Sequence, residues 1–299
     1  MIMAVRLNPD LLPSLLNSLQ QSKQNEALAT AQLGSGRSVN QLADNPAASA
    51  ALVLNHDQAS QDGQFLQNLT TLQGRYQVAD SSLSNVVQVL TRALTLGTEG
   101  ANGTVSAADR KDIAGEVQGL LNQTVSLANA SYQGAFLFAG TKVTTQPFTL
   151  DSTTNAVTYN GNTLTTSVEL SSGNSITANV PGDQIFQNAA GSVMGALQDL
   201  YSSLMSGNNI PNAVAEIQSG LNQISDQRVF YGNALNQINL SESFLNQEKV
   251  NLSQAENGLA GADLAVVATN FAQAQLANQA TLSATAKVLG LPTLLDYLK

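Results

Sequence analysis

His56 is the one histidine in this chain of 299 residues, and there are no cysteines. A nucleophilic triad needs a base held by a third group, and zinc sites gather His and Cys in clusters. Neither an HExxH pair, a His-rich metal site nor a thiolate site can therefore be built. Carboxylates remain. Asp44, Asp57, Asp62, Glu116, Asp263 and Asp296 are available as pairs for acid–base work, which would make the chain a secreted, carboxylate-dependent hydrolase. They fall on predicted helix surfaces or termini, where a solvated or capping role is commoner than a catalytic one. Gly34-Ser35-Gly36-Arg37 has glycines but neither the preceding strand nor the later spacing of a phosphate-binding fingerprint, and it reads as a helix break. His56, alone in a polar helix, reads as a surface residue. No catalytic residue, metal or cofactor is expected.

Charge argues against a nucleic-acid partner. With 21 acidic and 12 basic residues the formal charge is -9, and the few Lys and Arg form no basic stretch. Charged residues are only 11% of the chain, so its polar surface must come from Gln, Asn, Ser and Thr, which suits packing against copies of itself. The 43% apolar content is mostly Ala, Leu and Val, with no Trp, eight Phe and six Tyr, and favours thin helical layers over a thick core. Leu11, Leu12, Leu15, Leu16 and Leu19 recur at helical spacing where a secretory signal would need an unbroken apolar run. Neither a cleaved signal nor a membrane insertion is expected, and export would have to leave the N-terminus intact.

The elements follow from periodicity. Leu69, Leu72, Tyr76, Ala79, Leu83, Val86, Leu90 and Ala93 alternate spacings of three and four, a coiled-coil seam. After a predicted break over Gly97 to Gly103, Ser106 and Asp109 form a helix cap, and Ile113, Val117, Leu120, Thr124 and Leu127 continue the pattern. Between about Tyr132 and Phe186 the helical period disappears. Ala156 to Tyr159, Leu164 to Leu170 and Ser175 to Val180 read as strands of a small antiparallel β domain, with hairpin signals at Asn160-Gly161 and Gly173-Asn174. From Ile217 a seven-residue repeat runs through Ile224, Tyr231, Ile238, Leu245, Leu252, Leu259 and Val266, with Gly220, Gly232, Gly258 and Gly261 as points of interruption.

The expected fold is mainly α with a central β insertion: an elongated antiparallel helical bundle or coiled coil in which the N- and C-terminal helices pair. Its parts are an N-terminal assembly helix (1–45), a helical core (46–133 and 188–262) interrupted by a β-rich insertion (134–187), and a C-terminal assembly helix (263–299). Both end helices carry apolar stripes that one chain alone leaves partly uncovered.

Gln32-Leu33-Gly34-Ser35-Gly36-Arg37-Ser38-Val39, followed by Ala43-Asp44-Asn45-Pro46-Ala47-Ala48, resembles the N-terminal signature of the flagellin superfamily. There an apolar helix, a Ser-Gly-basic break and a short acidic segment precede a second long helix. Gly34 and Gly36 would permit the turn beside Arg37, Asp44 would accept from amides at the start of the next helix, and Pro46 would sit in its first turn. Asn45 stands where a second Asp is common. Gly134-Ala135-Phe136-Leu137-Phe138-Ala139-Gly140-Thr141 with Gln146-Pro147-Phe148 is similar to the hook–filament junction branch of that family, with Phe138, Gly140, Pro147 and Phe148 as motif positions and the aromatics anchoring the β region by packing. The stretch from Asn102 to Asn129 and the closing Leu294-Leu295-Asp296-Tyr297-Leu298 are similar as well.

The resemblance implies an extracellular structural subunit at the hook–filament junction of a bacterial flagellum, exported by the flagellar type III system; a filament subunit is the alternative within the family. Its implied partners are copies of itself in a ring, the neighbouring hook-associated protein and flagellin, and an export chaperone on the C-terminal helix. Its implied assembly surface comprises Leu11, Leu15, Leu19 and Leu33 together with Leu264, Val267, Phe271, Leu294, Leu295, Tyr297 and Leu298.

Overall fold

Long helices flank one stretch of short strands, as the change of period requires. A computed structural model describes residues 11–188 and 191–289. In chain order these form α1 (Leu11–Ser35), α2 (Pro46–Gly100), α3 (Ala107–Ala128), β1 (Ser131–Tyr132), β2 (Ala135–Phe136), β3 (Phe148–Leu150), β4 (Val157–Tyr159), β5 (Ser167–Ser171), β6 (Asn174–Thr177), α4 (Gly182–Phe186), β7 (Gln187–Asn188), β8 (Gly191–Ser192), α5 (Val193–Ser206), α6 (Ile210–Ala260) and α7 (Leu264–Leu289). They group into two units, Met1–Ser60 with Lys249–Lys299, and Gln61–Glu248.

In the second unit the α2 seam is buried along its whole expected length: Leu69, Leu72, Tyr76, Ala79, Leu83, Val86, Leu90 and Ala93 are each at most 2% exposed. They share one apolar cluster with α3, α5 and α6. On α3 the buried line is Ala114, Val117, Leu121, Thr124, Val125 and Ala128, so Ile113 and Leu120 flank the seam rather than fill it. Ala114 and Ala128 are small enough to let neighbouring helices approach, and larger residues then pack at the margin.

The glycines at 97 and 100 do not break α2, which continues through both. They are packing positions: a Cβ on Gly97 would stand 2.6 Å from Val214 and 3.0 Å from Leu200, and one on Gly100 would strike Leu204. The helix stops in the turn that follows, and α3 starts from a full capping box. The Ser106 hydroxyl accepts the Asp109 N–H at 3.2 Å while the Asp109 carboxylate accepts the Ser106 N–H at 3.3 Å.

The seven-residue repeat holds only in part. Ile217, Ile224, Tyr231, Ile238 and Leu245 are at most 2% exposed, Leu252 and Leu259 are half-buried, and Val266 is 54% exposed. The repeat fails because it crosses a helix end. α6 passes through Gly220, Gly232 and Gly258 but stops at Ala260, and α7 starts a new phase at Leu264.

The β region is a set of hairpins rather than one sheet: among the described residues each of the four sheets has two strands. The β5–β6 turn lies at Gly173, φ 78°, as expected. Asn160-Gly161, by contrast, follows β4 and turns no hairpin. The β3–β4 connection is instead an Asx turn in which Asp151 Oδ1 accepts from Thr153 N at 2.8 Å, with Asn155 left-handed at φ 58°. The β1–β2 pair closes through Gln133 and Gly134, both at positive φ (51° and 82°), as a tight two-residue hairpin turn demands.

Candidate assembly interface

In the first unit α1 and α7 pack against each other. The chain direction follows from two contacts: Arg37, just past the end of α1, bridges Gly261, just before α7, while Ser22, well back along α1, meets Ala274, well along α7. The helices are therefore antiparallel. Their seam is lined by small residues, with Ser22, Ala29, Val267 and Ala274 buried. The Ser22 hydroxyl donates to the Ala274 carbonyl at 3.0 Å, and Asn278 Nδ2 donates to Glu26 Oε2 at 2.9 Å. Beside the seam runs a shallow groove lined by Ser18, Gln21, Asn25, Asn270 and Gln273. A seam in which Val267 is the one larger residue beside Ser22, Ala29 and Ala274 buries little apolar area, so this pair gains less from its own packing than the seam of α2 does.

The residues expected to assemble divide accordingly. Val267 is 6% exposed and belongs to the α1–α7 seam, Leu15, Leu19, Leu33 and Phe271 are half-buried, and Leu264 is 53% exposed. The Leu11 side chain and residues Leu294, Leu295, Tyr297 and Leu298 lie outside what the structure describes. The outer faces carry a further set: Leu16 (55%), Leu28 (43%), Val266 (54%), Leu276 (69%) and Leu282 (49%) are all exposed. Sequence reasoning placed Leu16 on the N-terminal stripe but did not separate inner from outer faces. A helix pair apolar on both its inner and its outer faces holds more apolar surface than one chain uses.

The joint between α1 and α2 is built from the Ser-Gly-basic break. Gly36 takes a left-handed φ of 68° and closes α1 by donating to the Gln32 carbonyl at 2.9 Å. The next residues lie against the end of α6: Ser38 N donates to Ala260 O at 2.6 Å, and Ala262 N to Gly36 O at 3.0 Å. Arg37 adds an ion pair to Glu256 at 2.9 Å, with both side chains nearly half exposed. Asp44 does not cap α2. Its Oδ2 accepts backward, from Asn40 N and Gln41 N, each at 2.8 Å. The cap is Asn45, whose Oδ1 accepts from Ala48 N at 3.1 Å, with Pro46 as the first residue of α2. The Asn that departs from the common pattern thus performs the capping that was expected of Asp44.

The aromatic motif is a packing knot. Phe138 and Phe148 are fully buried; both meet Phe186 edge to face at 5.6 and 5.3 Å, and Phe148 also meets Tyr159 at 5.1 Å. Pro147 is buried beside them. Asn129, at the end of α3, clamps β3 from both sides, donating to Phe148 O at 2.8 Å and accepting from Phe148 N at 2.9 Å. Gly140, φ 69°, leaves no room for a side chain, because Asn162 fills the place a Cβ would take while accepting from Thr141 N at 2.8 Å. Gly182 is a member that the sequence did not reveal. Its N–H donates to Phe138 O at 2.8 Å, and a Cβ there would lie 2.7 Å from the Phe148 ring.

The carboxylates considered for catalysis have structural partners or stand in solvent. Glu116 holds Arg92 through two oxygens at 2.7 and 3.0 Å. Asp263 caps α7 by accepting from Ala265 N at 2.9 Å, Asp62 is buried in α2, and Asp57 and His56 are exposed. Asp296 lies outside the described residues. Among the described residues no group of three His, Asp or Glu could hold a metal ion, and no helix is long and apolar enough to cross a membrane.

Residues 12–143 match the bacterial flagellin N-terminal helical region, and residues 214–298 match the bacterial flagellin C-terminal helical region. The chain is similar to flagellar hook-associated protein 3 of Escherichia coli strain K12, 26% identical over 287 residues that cover 87% of this chain and 89% of that protein. It is 31% identical over 159 residues to the protein of the same name from Salmonella typhimurium strain LT2, covering 52% of this chain and 49% of that one. The solved structure of hook-associated protein 3 from Legionella pneumophila superposes with a TM-score of 0.64 at 17% identity, over 69% of this chain and 98% of that one. At that identity the likeness is one of fold.

Proposed function

Since the chain belongs to the bacterial flagellin family, we propose that it is a structural subunit of the flagellum that joins hook to filament. One observation carries this reading above a filament role: the similarity to a hook-associated protein 3 extends over 87% of this chain and 89% of that relative. The subunit leaves the cell through the flagellar type III system, with a chaperone on its C-terminal helix. It then adds at the distal hook as a ring of identical copies, between the neighbouring hook-associated protein and flagellin. The exposed leucines of α1 and α7 support assembly through the terminal helices, because apolar area removed from water stabilises at about 25 cal/mol per Å². The hairpins carry little of that energy. The fold offers positions for packing and joining, and no catalytic role is assigned to it.

Immunogold labelling of intact cells tests this directly. Label is expected as a band at the base of the filament, and deletion is expected to release flagellin as monomers. Label along the whole filament would assign the chain to the filament itself. Removing residues 1–20 or 278–299 is expected to leave the second unit folded and to stop incorporation at the hook; normal incorporation of either form would overturn the role given to the ends.

A further inference from the structure

We propose that Asn102 is a site of spontaneous side-chain cyclisation, converting to aspartate and isoaspartate in the turn between α2 and α3. The reaction needs only water. The main-chain nitrogen of Gly103 bonds to Asn102 Cγ, its proton passes to the side-chain nitrogen, and that nitrogen leaves as ammonia. A water molecule then opens the five-membered imide at either of its C–N bonds, giving aspartate by one cleavage and isoaspartate by the other.

Glycine after asparagine favours this attack because no Cβ shields the nucleophilic nitrogen, and three such pairs occur: Asn102-Gly103, Asn160-Gly161 and Asn257-Gly258. The fold separates them. Asn257-Gly258 lies inside α6, where the main chain is held at helical φ and ψ and cannot swing the side chain onto the following nitrogen. Asn160 is tied down at both ends, its main-chain N donating to Pro147 O at 2.8 Å and its Nδ2 to Thr149 Oγ1 at 3.2 Å, while Gly161 sits against the Tyr159 ring.

Asn102 lies outside the helix, and although its main-chain N donates to Glu99 O at 3.1 Å, the nitrogen that attacks belongs to Gly103. Asn102 is exposed, it follows the last residue of α2 by two positions, and nothing lies within 4 Å of where a Cβ on Gly103 would stand. Its Oδ1 already accepts from Thr104 N at 3.1 Å and Thr104 Oγ1 at 3.0 Å. Charge that builds on this oxygen as Cγ is attacked therefore meets two donors in place.

The product alters the turn. Val105 N donates to Asn102 O at 3.0 Å, and the chain then enters the Ser106 capping box. Isoaspartate lengthens the main chain there by one methylene, and either product sets a carboxylate at the C-terminal end of α2, where the helix dipole disfavours negative charge. The turn between α2 and α3 thus loosens with the age of the molecule.

The test holds the folded full-length chain in mildly alkaline buffer beside an identical sample in concentrated urea. Peptide mass spectrometry with fragmentation that distinguishes isoaspartate follows all three pairs. In the folded sample Asn102 is expected to convert at least about tenfold faster than Asn160 and Asn257, as sites freed only by local opening should lag; in urea the three rates are expected to converge. Gly103→Ala is expected to slow conversion at Asn102 in both samples. Conversion of Asn160 or Asn257 at the pace of Asn102 in the folded chain would overturn the proposal, as would a Gly103→Ala chain that converts at the original rate.

Discussion

Leu276 offers the sharpest separation of folding from assembly. It lies on α7 with 69% of its surface exposed, two residues from Ala274, which is 7% exposed in the seam with α1. Complete burial of a leucine side chain contributes about 1.5–3 kcal/mol, so covering the exposed 69% on assembly is worth about 1–2 kcal/mol per contact. With a tenfold change in affinity corresponding to about 1.4 kcal/mol, Leu276→Gln is expected to weaken each subunit contact roughly tenfold. The isolated chain should hardly respond. Glutamine forms helix nearly as well as leucine, and surface substitutions change stability by about 0.5 kcal/mol or less. Ala274→Leu is the opposite case, overpacking the seam at a cost of about 1–3 kcal/mol to the α1–α7 pair. Urea unfolding of the purified chains gives the stability arm, and counting filaments on cells that supply only the variant gives the assembly arm. Normal filament number with Leu276→Gln would refute the reasoning, and so would a loss of stability as large as that of Ala274→Leu.

Phe148→Ala removes the ring shared by Phe186 and Tyr159 and is expected to cost about 3–5 kcal/mol in urea unfolding, with Phe148→Leu losing clearly less. Ser106→Ala deletes one half of the α3 capping box and should cost about 1 kcal/mol by the same measurement. Arg37→Ala breaks an exposed ion pair, so its effect is expected to stay below about 1 kcal/mol and to shrink further in high salt. Burial pushes the Tyr76 hydroxyl from 10.0 up to about 12, against a smaller opposing pull from Arg75. The unfolded chain therefore releases this proton first, and stability is expected to fall as pH rises from about 10 through about 12, by roughly 2–3 kcal/mol from this group. Tyr76→Phe should remove that part of the alkaline loss, leaving the part due to Tyr231, which burial shifts in the same direction.

The seams of the second unit were legible in the sequence because large apolar residues at spacings of three and four leave little choice of buried face, as Leu69 to Ala93 demonstrate. The cap at Ser106 was legible for a similar reason, since its chemistry is local. Three features were hidden because they depend on what lies across space. Gly97 and Gly100 read as a break, yet Leu200, Leu204 and Val214 make them contact points within a continuous helix. Gly182 shows nothing in its neighbours, and only the Phe148 ring and the Phe138 carbonyl explain it. Asn160-Gly161 has the composition of a hairpin turn, but the Asx turn at Asp151 reverses the chain first. At the assembly surface the residue types were legible and the faces were not: a helix with leucines on two sides has a periodicity that does not say which side its own chain will cover.

That ambiguity has a physical source in how the two units are stabilised. The α2 seam places four leucines, a tyrosine, a valine and two alanines at 2% exposure or less, whereas α1 and α7 meet through Ser22, Ala29, Val267 and Ala274 and leave Leu16, Leu276 and Leu282 in solvent. Small residues let two helices approach closely but bury little area, so the pair gains less from its own seam than the second unit does. The joint at Gly36 and Gly261 ties the two helices together, since Arg37 bridges Gly261 and Ser38 bonds to the Ala260 carbonyl at 2.6 Å. The second unit thus has a seam of large apolar residues, whereas the α1–α7 pair leaves leucines exposed on its outer faces.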